Sequence, residues 1–516
     1  MAGLFNGWLL PVLYTAGFAL AFTLQRHHWK VARITALLGL LTTAAAAASA
    51  LVWSQFQALT VDKLGLTVAL LVSLLGWVII SYSSRYLQGE ANQPRFVKAM
   101  LFTLACVSLL VVSQHLVVIV LGWSGTSIGL HYLLTHYKER KAAQIVAHKK
   151  FIVSRLADVT LLVALVLIYQ SAGTLTLNGV SAYLANLDTL PPAMHWAAGL
   201  FALAAILKSA QLPLHGWLIQ VMEAPTPVSA LLHAGVVNIG GFVLIRLAEL
   251  VAFAPAAQAM LVILGSVTAV LAGLVMMTRI SIKVRLAWST CAQMGFMLME
   301  VGLGLYELAL LHLVAHSLYK AHAFLSAGDA VSEAKALDFL ATKKTSSFAW
   351  YLSGFALSAA LVAGSTALWQ AFLPELQLPL AAALIVALGL APLLWLEQGA
   401  SAALLGRGLV RVLALTQLYL VWHLLFAGLA PAATATAAWL MAWVGIAFLV
   451  LYSIQIWLRR HPQGRLAEAL YPWAYCGFYL DETFTRLTFK FWPARLSPIQ
   501  AQTLVNRNPA QLGEMV

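Results

Sequence analysis

Apolar stretches of about 20 residues follow one another along almost the whole chain, and this constrains the fold more than any other feature. A run of that length crosses the hydrocarbon core of a bilayer as a helix. Within lipid only helices and closed barrels satisfy their own backbone, and long runs without alternation read as helices. Run length places about 15 spans (13–15), near 6–24, 32–53, 64–84, 99–113, 115–134, 152–170, 195–219, 228–247, 258–277, 284–303, 307–326, 347–368, 377–397, 408–428 and 434–457. Spans 4 and 5 are nearly fused in sequence. Composition agrees: 61% of residues are apolar and 9% charged, against about 25% charged in a soluble globule. Mean hydropathy is +0.85. The sequence predicts an all-α polytopic membrane protein and excludes soluble-enzyme and disordered classes. The first apolar run, Gly7 to Leu24, has no basic region before it, so a retained first helix is expected in place of a cleaved signal.

The net charge of +13, from 31 Lys+Arg against 18 Asp+Glu, is unevenly placed. With the N-terminus outside, the inside loops hold Arg26, Lys30 and Arg33, then Arg85, Arg95 and Lys98, then Lys138, Arg140, Lys141, Lys149 and Lys150. Arg279, Lys283 and Arg285, then Lys335, Lys343 and Lys344, then Arg407, Arg459 and Arg460 continue the series. The outside loops hold little basic beyond Lys63 and Arg246. Basic residues concentrate in cytoplasmic loops, so the expected orientation is N-terminus outside and C-terminus cytoplasmic, with the charge serving topology and no nucleic-acid partner. Residues 458–516 then form a cytoplasmic tail, amphipathic around Tyr479, Asp481, Glu482 and the run Lys490-Phe491-Trp492. Such a tail either meets a partner or lies on the lipid surface. The cysteines, Cys106, Cys291 and Cys476, form no CxxC pair, and neither GxGxxG nor a phosphate loop is present. No cofactor is expected in this chain, and neither redox chemistry nor ATP hydrolysis.

Ionisable groups inside spans cost about 2.5–3.5 kcal/mol each on insertion scales and are functional candidates by default. Here they form a series. Asp158 falls in span 6, Lys208 in the middle of span 7, His233 and Asn238 in span 8, Glu300 late in span 10, and His312, His316 and Lys320 in span 11. Glu223 lies between Pro213 and Pro225. The three span 11 residues recur every four positions, so they share one helix face, which is expected to avoid lipid. Histidine titrates near neutral pH, and a lysine kept from water exchanges its proton more readily. With Glu300 expected opposite Lys320, the series reads as a proton relay; the alternative is a polar network that pins helices together. The His312–His316 spacing also suits zinc, but no third ligand is evident, and no metal site is assigned. Pro213 is expected to kink or break span 7 beside Lys208, as in ion-coupled transporters, making Lys208 a proton carrier and not a snorkelling lysine. Glu223 either favours the N-terminus of span 8 through the helix dipole or joins the path.

The stretch LKSAQLPLHGWLIQVMEAPTPVSALLHAG (207–235) resembles the signature of antiporter-like proton-translocating subunits of respiratory complex I, Mrp sodium/proton antiporters and membrane hydrogenases. IKVRLAWSTCAQMGFM (282–297) and LLHLVAHSLYKAHAFLSAGDAV (310–331) match two further family segments, and the resemblance covers about residues 60–335. It implies an antiporter-like fold with inverted repeats and a broken helix 7. The family's span 7 lysine falls on Lys208, its span 8 histidine on His233, its span 11 polar line on His312, His316 and Lys320, and its span 6 aspartate on Asp158. Two departures stand out. The family's LGWE, whose glutamate partners the span 7 lysine, is here Leu121-Gly122-Trp123-Ser124. The family's span 12 lysine or glutamate has no counterpart: residues 347–457 contain no lysine, and their acids are Glu375 and Glu397.

These departures, HSLYKAHAFLSAGDAV and HAGVVNIGGFVLIRL resemble one branch, the DabB membrane subunits of bacterial inorganic-carbon accumulation systems. The resemblance implies a DabA-like partner on the cytoplasmic side, a large, mainly soluble subunit similar to a zinc β-type carbonic anhydrase. Zinc and the CO2 chemistry are expected in that partner. This chain is expected to conduct H+ or Na+ in the inner membrane and to be no enzyme itself. An antiporter module of a redox-driven or Mrp-type complex, and a membrane anchor with a degenerate channel, are the other readings. The expected organisation is N-terminal helices 1–98, a first half 99–250 with the Lys208 site, a second half 251–457 diverging after about 335, and the tail 458–516.

Overall fold

The computed structural model describes residues 8–52, 62–137, 139–329, 347–374, 376, 378–395 and 401–491. Lys138, the loop with Lys335, Lys343 and Lys344, Glu375, Glu397 and Trp492 lie outside them. Each of the predicted apolar stretches is helical over most of its described length, the seventh being interrupted at 209–215. In chain order the helices are α1 (Leu9–Thr23), α2 (His28–Val52), α3 (Lys63–Tyr86), α4 (Gln93–Val112), α5 (Leu116–Leu134), α6 (Lys141–Ala172) and α7 (Leu177–Ala185). Next come α8 (Pro192–Lys208), α9 (Gly216–Ile219), α10 (Thr226–Ala234), α11 (Ile239–Arg246), α12 (Ala248–Ala252), α13 (Pro255–Met277), α14 (Ile282–Gly302) and α15 (Tyr306–Leu325). The last six are α16 (Phe348–Phe372), α17 (Leu380–Leu390), α18 (Ala402–Phe426), α19 (Ala438–Arg460), α20 (Arg465–Tyr475) and α21 (Leu480–Phe491).

Ten helices among the described residues are long and apolar enough to cross a membrane, short of the predicted 15. Three further apolar helices are shorter, Leu9–Thr23, Pro192–Lys208 and Leu380–Leu394. The two remaining, α14 and α15, are full length but carry Lys283, Arg285, Glu300, His312, His316 and Lys320, which lower their hydropathy. Spans 4 and 5 are separate. Ser113 turns extended, its hydroxyl accepts from the His115 amide, and the His115 ring accepts from the Val117 amide to start α5.

One continuous apolar core joins α1 to α15, and a smaller one lies among α16, α17 and α19 around Tyr351, Leu388 and Tyr452. Large apolar side chains such as Leu368, Val410, Leu425 and Ile446 point outward. Lipid solvates such a surface, whereas in water it would drive association. On the face with few basic loops, Arg246 ties three elements. It donates to the Asp62 carboxylate at 2.8 Å and to the carbonyls of Ser113 (2.9 Å) and Val111 (2.7 Å).

One expectation is corrected. Lys149 and Lys150 are not loop residues: α6 starts at Lys141, and both side chains are buried. The expected break beside Lys208 is present. α8 stops at Lys208 and helix resumes at Gly216, because Pro213 offers no N–H and disfavours helical geometry before it.

The closest backbone approach found among the glycines couples α13 to α14. A Cβ at Gly265 would stand 2.5 Å from the Gly295 carbonyl oxygen, and one at Gly295 equally near that of Gly265. Gly364 has open space around its missing Cβ. Overpacking a tight contact costs about 1–3 kcal/mol. Gly265→Leu and Gly295→Leu should therefore lower the thermal unfolding midpoint and monodisperse yield in detergent, while Gly364→Leu leaves both near wild type.

Candidate ion path

The first site is built at the end of α8. Beyond Lys208, residues 209–215 leave the helix, and Ala210 takes a left-handed φ of 52°. Backbone groups freed inside a membrane must find partners in the protein. Here the Leu212 amide donates to Thr268 (3.2 Å), the Ala210 carbonyl accepts from the Cys291 thiol (3.2 Å), and the Ser209 hydroxyl donates to the Val237 carbonyl (3.2 Å). The break is thus stitched to α13, α14 and the interruption between α10 and α11.

Lys208 is almost fully buried, and its Nζ donates to Asp158 Oδ1 at 2.6 Å. The same oxygen accepts from Ser124 Oγ at 2.8 Å. Asp158 Oδ2 faces Arg155 Nη2 at 2.7 Å, an ion pair along α6. The ammonium also lies 4.8 Å from the Trp123 ring centroid, a cation–π distance. The Lys208 counterion is therefore Asp158 on α6, and Ser124, where the family pattern has glutamate, is hydrogen-bonded to that carboxylate. Lys150, also buried, lies over Trp217 at 5.2 Å and within electrostatic reach of Lys208 and Asp158.

The second group lies between α14, α15 and the interrupted α10–α11. Glu300 Oε2 bonds His312 Nδ1 at 2.8 Å, so the expected Glu300–Lys320 pairing is not formed. The reason is register. α14 and α15 join through a short turn, which brings Glu300 beside His312, while Lys320 lies eight residues beyond His312, about 12 Å further along the helix. Lys320 Nζ instead donates to the Leu286 carbonyl at 3.0 Å and is fully buried. His316 lies between, its ring 6.0 Å from that of His312. His233 stacks on Phe324 at 4.4 Å, and Asn238 Nδ2 donates to Ser317 Oγ at 2.8 Å. The stripe on α15 thus turns inward at His316 and Lys320. Glu300 and His312 line a cleft of about 410 Å³ with Phe296, Tyr419 and Trp422. Both ring nitrogens of His233 and His316, and Nε2 of His312, are buried without a hydrogen-bond partner among the described residues.

Glu223 is not brought to either group. It ends a 3-10 turn on the basic face, half-exposed, 3.7 Å from Arg140. The helix that begins at Thr226 has no side-chain cap, so Glu223 does not cap it. The chain's twelfth apolar stretch, α16, is continuous and carries no charged residue. Sequence reasoning missed Ser124 as an Asp158 ligand, Arg155, and the burial of Lys149 and Lys150. The Arg155–Asp158 spacing of three was the one local signal.

Residues 113–390 match the family model for "NADH:quinone oxidoreductase/Mrp antiporter, TM", and residues 56–97 match "NADH-Ubiquinone oxidoreductase (complex I), chain 5 N-terminus". The protein named "Probable inorganic carbon transporter subunit DabB" in Hydrogenovibrio crunogenus is 39% identical over 95% of this chain and 94% of its own length. Its namesake DabB2 in Halothiobacillus neapolitanus is 40% identical over 88% and 84%. NADH-quinone oxidoreductase subunit L of Escherichia coli is 34% identical over 53% of this chain and 45% of its own. A subunit of the Mrp complex from Dietzia sp. shares the fold with a TM-score of 0.59 at 21% identity, over 98% of this chain and 63% of that one. An archaeal membrane-bound sulfane sulfur reductase subunit superposes with a TM-score of 0.55 at 15% identity, over 93% and 99%. An all-helical antiporter-like fold, a lysine at a broken helix and this likeness over nearly full length together mean that the chain belongs to the DabB branch of the complex I/Mrp antiporter membrane-subunit family.

Proposed function

We propose that this chain is a cation-conducting (H+ or Na+) subunit of a bacterial inner membrane, coupling an ion gradient to CO2/bicarbonate accumulation. The hydration chemistry takes place in a zinc-binding, carbonic-anhydrase-like DabA-type partner. The basic face is cytoplasmic, with the N-terminus outside and the C-terminus inside. The observation that carries this reading is the buried Lys208–Asp158 pair at a helix break, retained although the usual glutamate is absent. A buried ion pair with no transport duty is costly and is readily replaced by apolar packing.

The arrangement suggests how charge moves. Asp158 lies between two cations, Lys208 and Arg155. Loss of the Lys208 proton removes one attraction and turns the carboxylate toward Arg155; regain of the proton reverses it. The unpaired nitrogens of His233, His316 and His312 suit ordered water, which buried polar groups require when protein partners are lacking. Such water would join Glu300–His312 at the cleft to Lys320. One charge crossing 100 mV yields about 2.3 kcal/mol, enough to bias a step in the attached partner. A relay of this kind needs no ion-binding metal in this chain.

Lys208→Ala and Lys320→Ala should each lower carbon accumulation in cells at least tenfold while the partner still co-purifies. Normal accumulation in both would leave a membrane anchor as the better reading. Asp158→Asn should be as severe, and adding Ser124→Glu to it should recover activity to within about threefold of wild type, because Ser124 already touches the carboxylate. No recovery would mean that the position of the carboxylate, and not just its presence, matters. Gentle detergent purification should retain one large soluble subunit with zinc. Recovery of a set of hydrophobic antiporter subunits would favour an ordinary ion-pumping complex.

A further inference from the structure

The C-terminal segment does not lie apart from the bundle. α20 and α21 fold back onto α6, α9 and α13 at the basic face. Gly477 adopts a left-handed φ of 63°, and a Cβ there would stand 3.0 Å from the Trp288 ring. Arg279 lies over both Trp288 (5.5 Å) and Tyr475 (5.4 Å), and Phe484 is buried. These contacts dock the segment without using its charged residues.

The docked segment delivers one carboxylate to a particular place. Asp481 accepts from Lys149 Nζ at 2.9 and 3.0 Å and from Gln220 Nε2 at 3.0 Å. The Lys149 side chain is wholly buried, while Asp481 keeps 27% of its side-chain surface exposed. The carboxylate packs directly on the Cα of Gly216, the first residue after the break, where any Cβ would overlap it. Next to Gly216 in the chain is His215, buried, with its ring 4.8 Å from that of Trp288. His215 Nδ1 contacts the Pro213 carbonyl, and its Nε2 has no partner among the described residues. From His215 the chain runs through the break to Lys208.

We propose that Asp481 is part of the ion path, the carboxylate through which the Lys208 site exchanges protons with cytoplasmic water. This rests on the proton-conducting form of the function proposed above. A proton arriving from inside converts the carboxylate to the acid and leaves Lys149 as an uncompensated buried cation. That state is disfavoured, so the proton passes to water at the exposed edge and the ion pair re-forms. Uptake from the cytoplasm is the same exchange reversed. Gly216 is bare because the carboxylate must reach the break.

The test uses the full chain with its co-purifying partner in proteoliposomes, with a potassium–valinomycin potential and a lumenal pH dye. Asp481→Asn should cut proton flux tenfold or more, and Asp481→Glu should keep at least a third of it. A latch that merely held the segment would give the opposite order. Asn has the length of Asp and still accepts from Lys149, whereas Glu collides with Gly216. Gly216→Ala, which leaves every titratable group in place, should also cut flux tenfold. In a Cys106→Ser/Cys476→Ser background it should expose the buried Cys291 thiol to a membrane-impermeant maleimide. Wild-type flux in Asp481→Asn, with flux lost in Lys208→Ala, would overturn this role for Asp481. Flux unchanged in Lys208→Ala, or absent from the wild type, would overturn the proton-conducting reading itself. If a variant fails to assemble, maleimide labelling of Cys291 in Asp481→Glu decides: protection as in wild type supports a retained seal, and full labelling with undiminished flux refutes the role.

Discussion

A buried ammonium inside a membrane has to be compensated, and much of this molecule is arranged around that requirement at Lys208. The cation sits where α8 stops, 2.6 Å from Asp158 and over the Trp123 ring. The broken backbone beside it would itself be costly in lipid, and it is held by Thr268, Cys291 and Val237 from three other elements. Close packing of α13 on α14 through Gly265 and Gly295 keeps two of those elements in register. The lysine, the break and the packing are therefore parts of one constraint.

The departures from the wider family fall into place around the same pair. Where a glutamate on α5 would meet the lysine, Ser124 donates to an aspartate on α6. The α5 carboxylate is lost, and the α6 aspartate, which the family pattern also has, serves as the Lys208 counterion. In the second half, α16 is unbroken and uncharged, and the ionisable groups gather on α14 and α15 at Glu300, His312, His316 and Lys320. Among the described residues there is thus a lysine site at a helix break and a histidine-rich line beside it.

Much of the fold was legible because span recognition is local. Twenty apolar residues read as a helix regardless of what surrounds them. Lys208, His312, His316 and Lys320 stood out for the same reason, as charge in an apolar window, and periodicity put the last three on one face. The pairings were not legible. Glu300 meets His312 and not Lys320 because of the short turn between two helices, and no spacing rule reports that. Lys149 looked like one more basic loop residue. Its burial follows from a carboxylate 332 positions away, which nothing in its neighbourhood reveals. Glu223 is a different case: its motif is rich in resemblance, and its side chain faces Arg140 at the surface, which no local spacing indicates.

The 32-residue α6 is about 48 Å long, well beyond the thickness of the hydrocarbon core of about 30 Å. It carries Lys149 near one end and Asp158 near its middle, so the partner of the C-terminal segment and the partner of Lys208 ride on the same rigid rod. Tilting that rod by a few degrees at its basic end shifts Asp158 by a fraction of an ångström to an ångström, comparable with the difference between a tight ion pair and a broken one. α6 is in this sense a lever, with its handle at the membrane surface and its working point at the buried lysine.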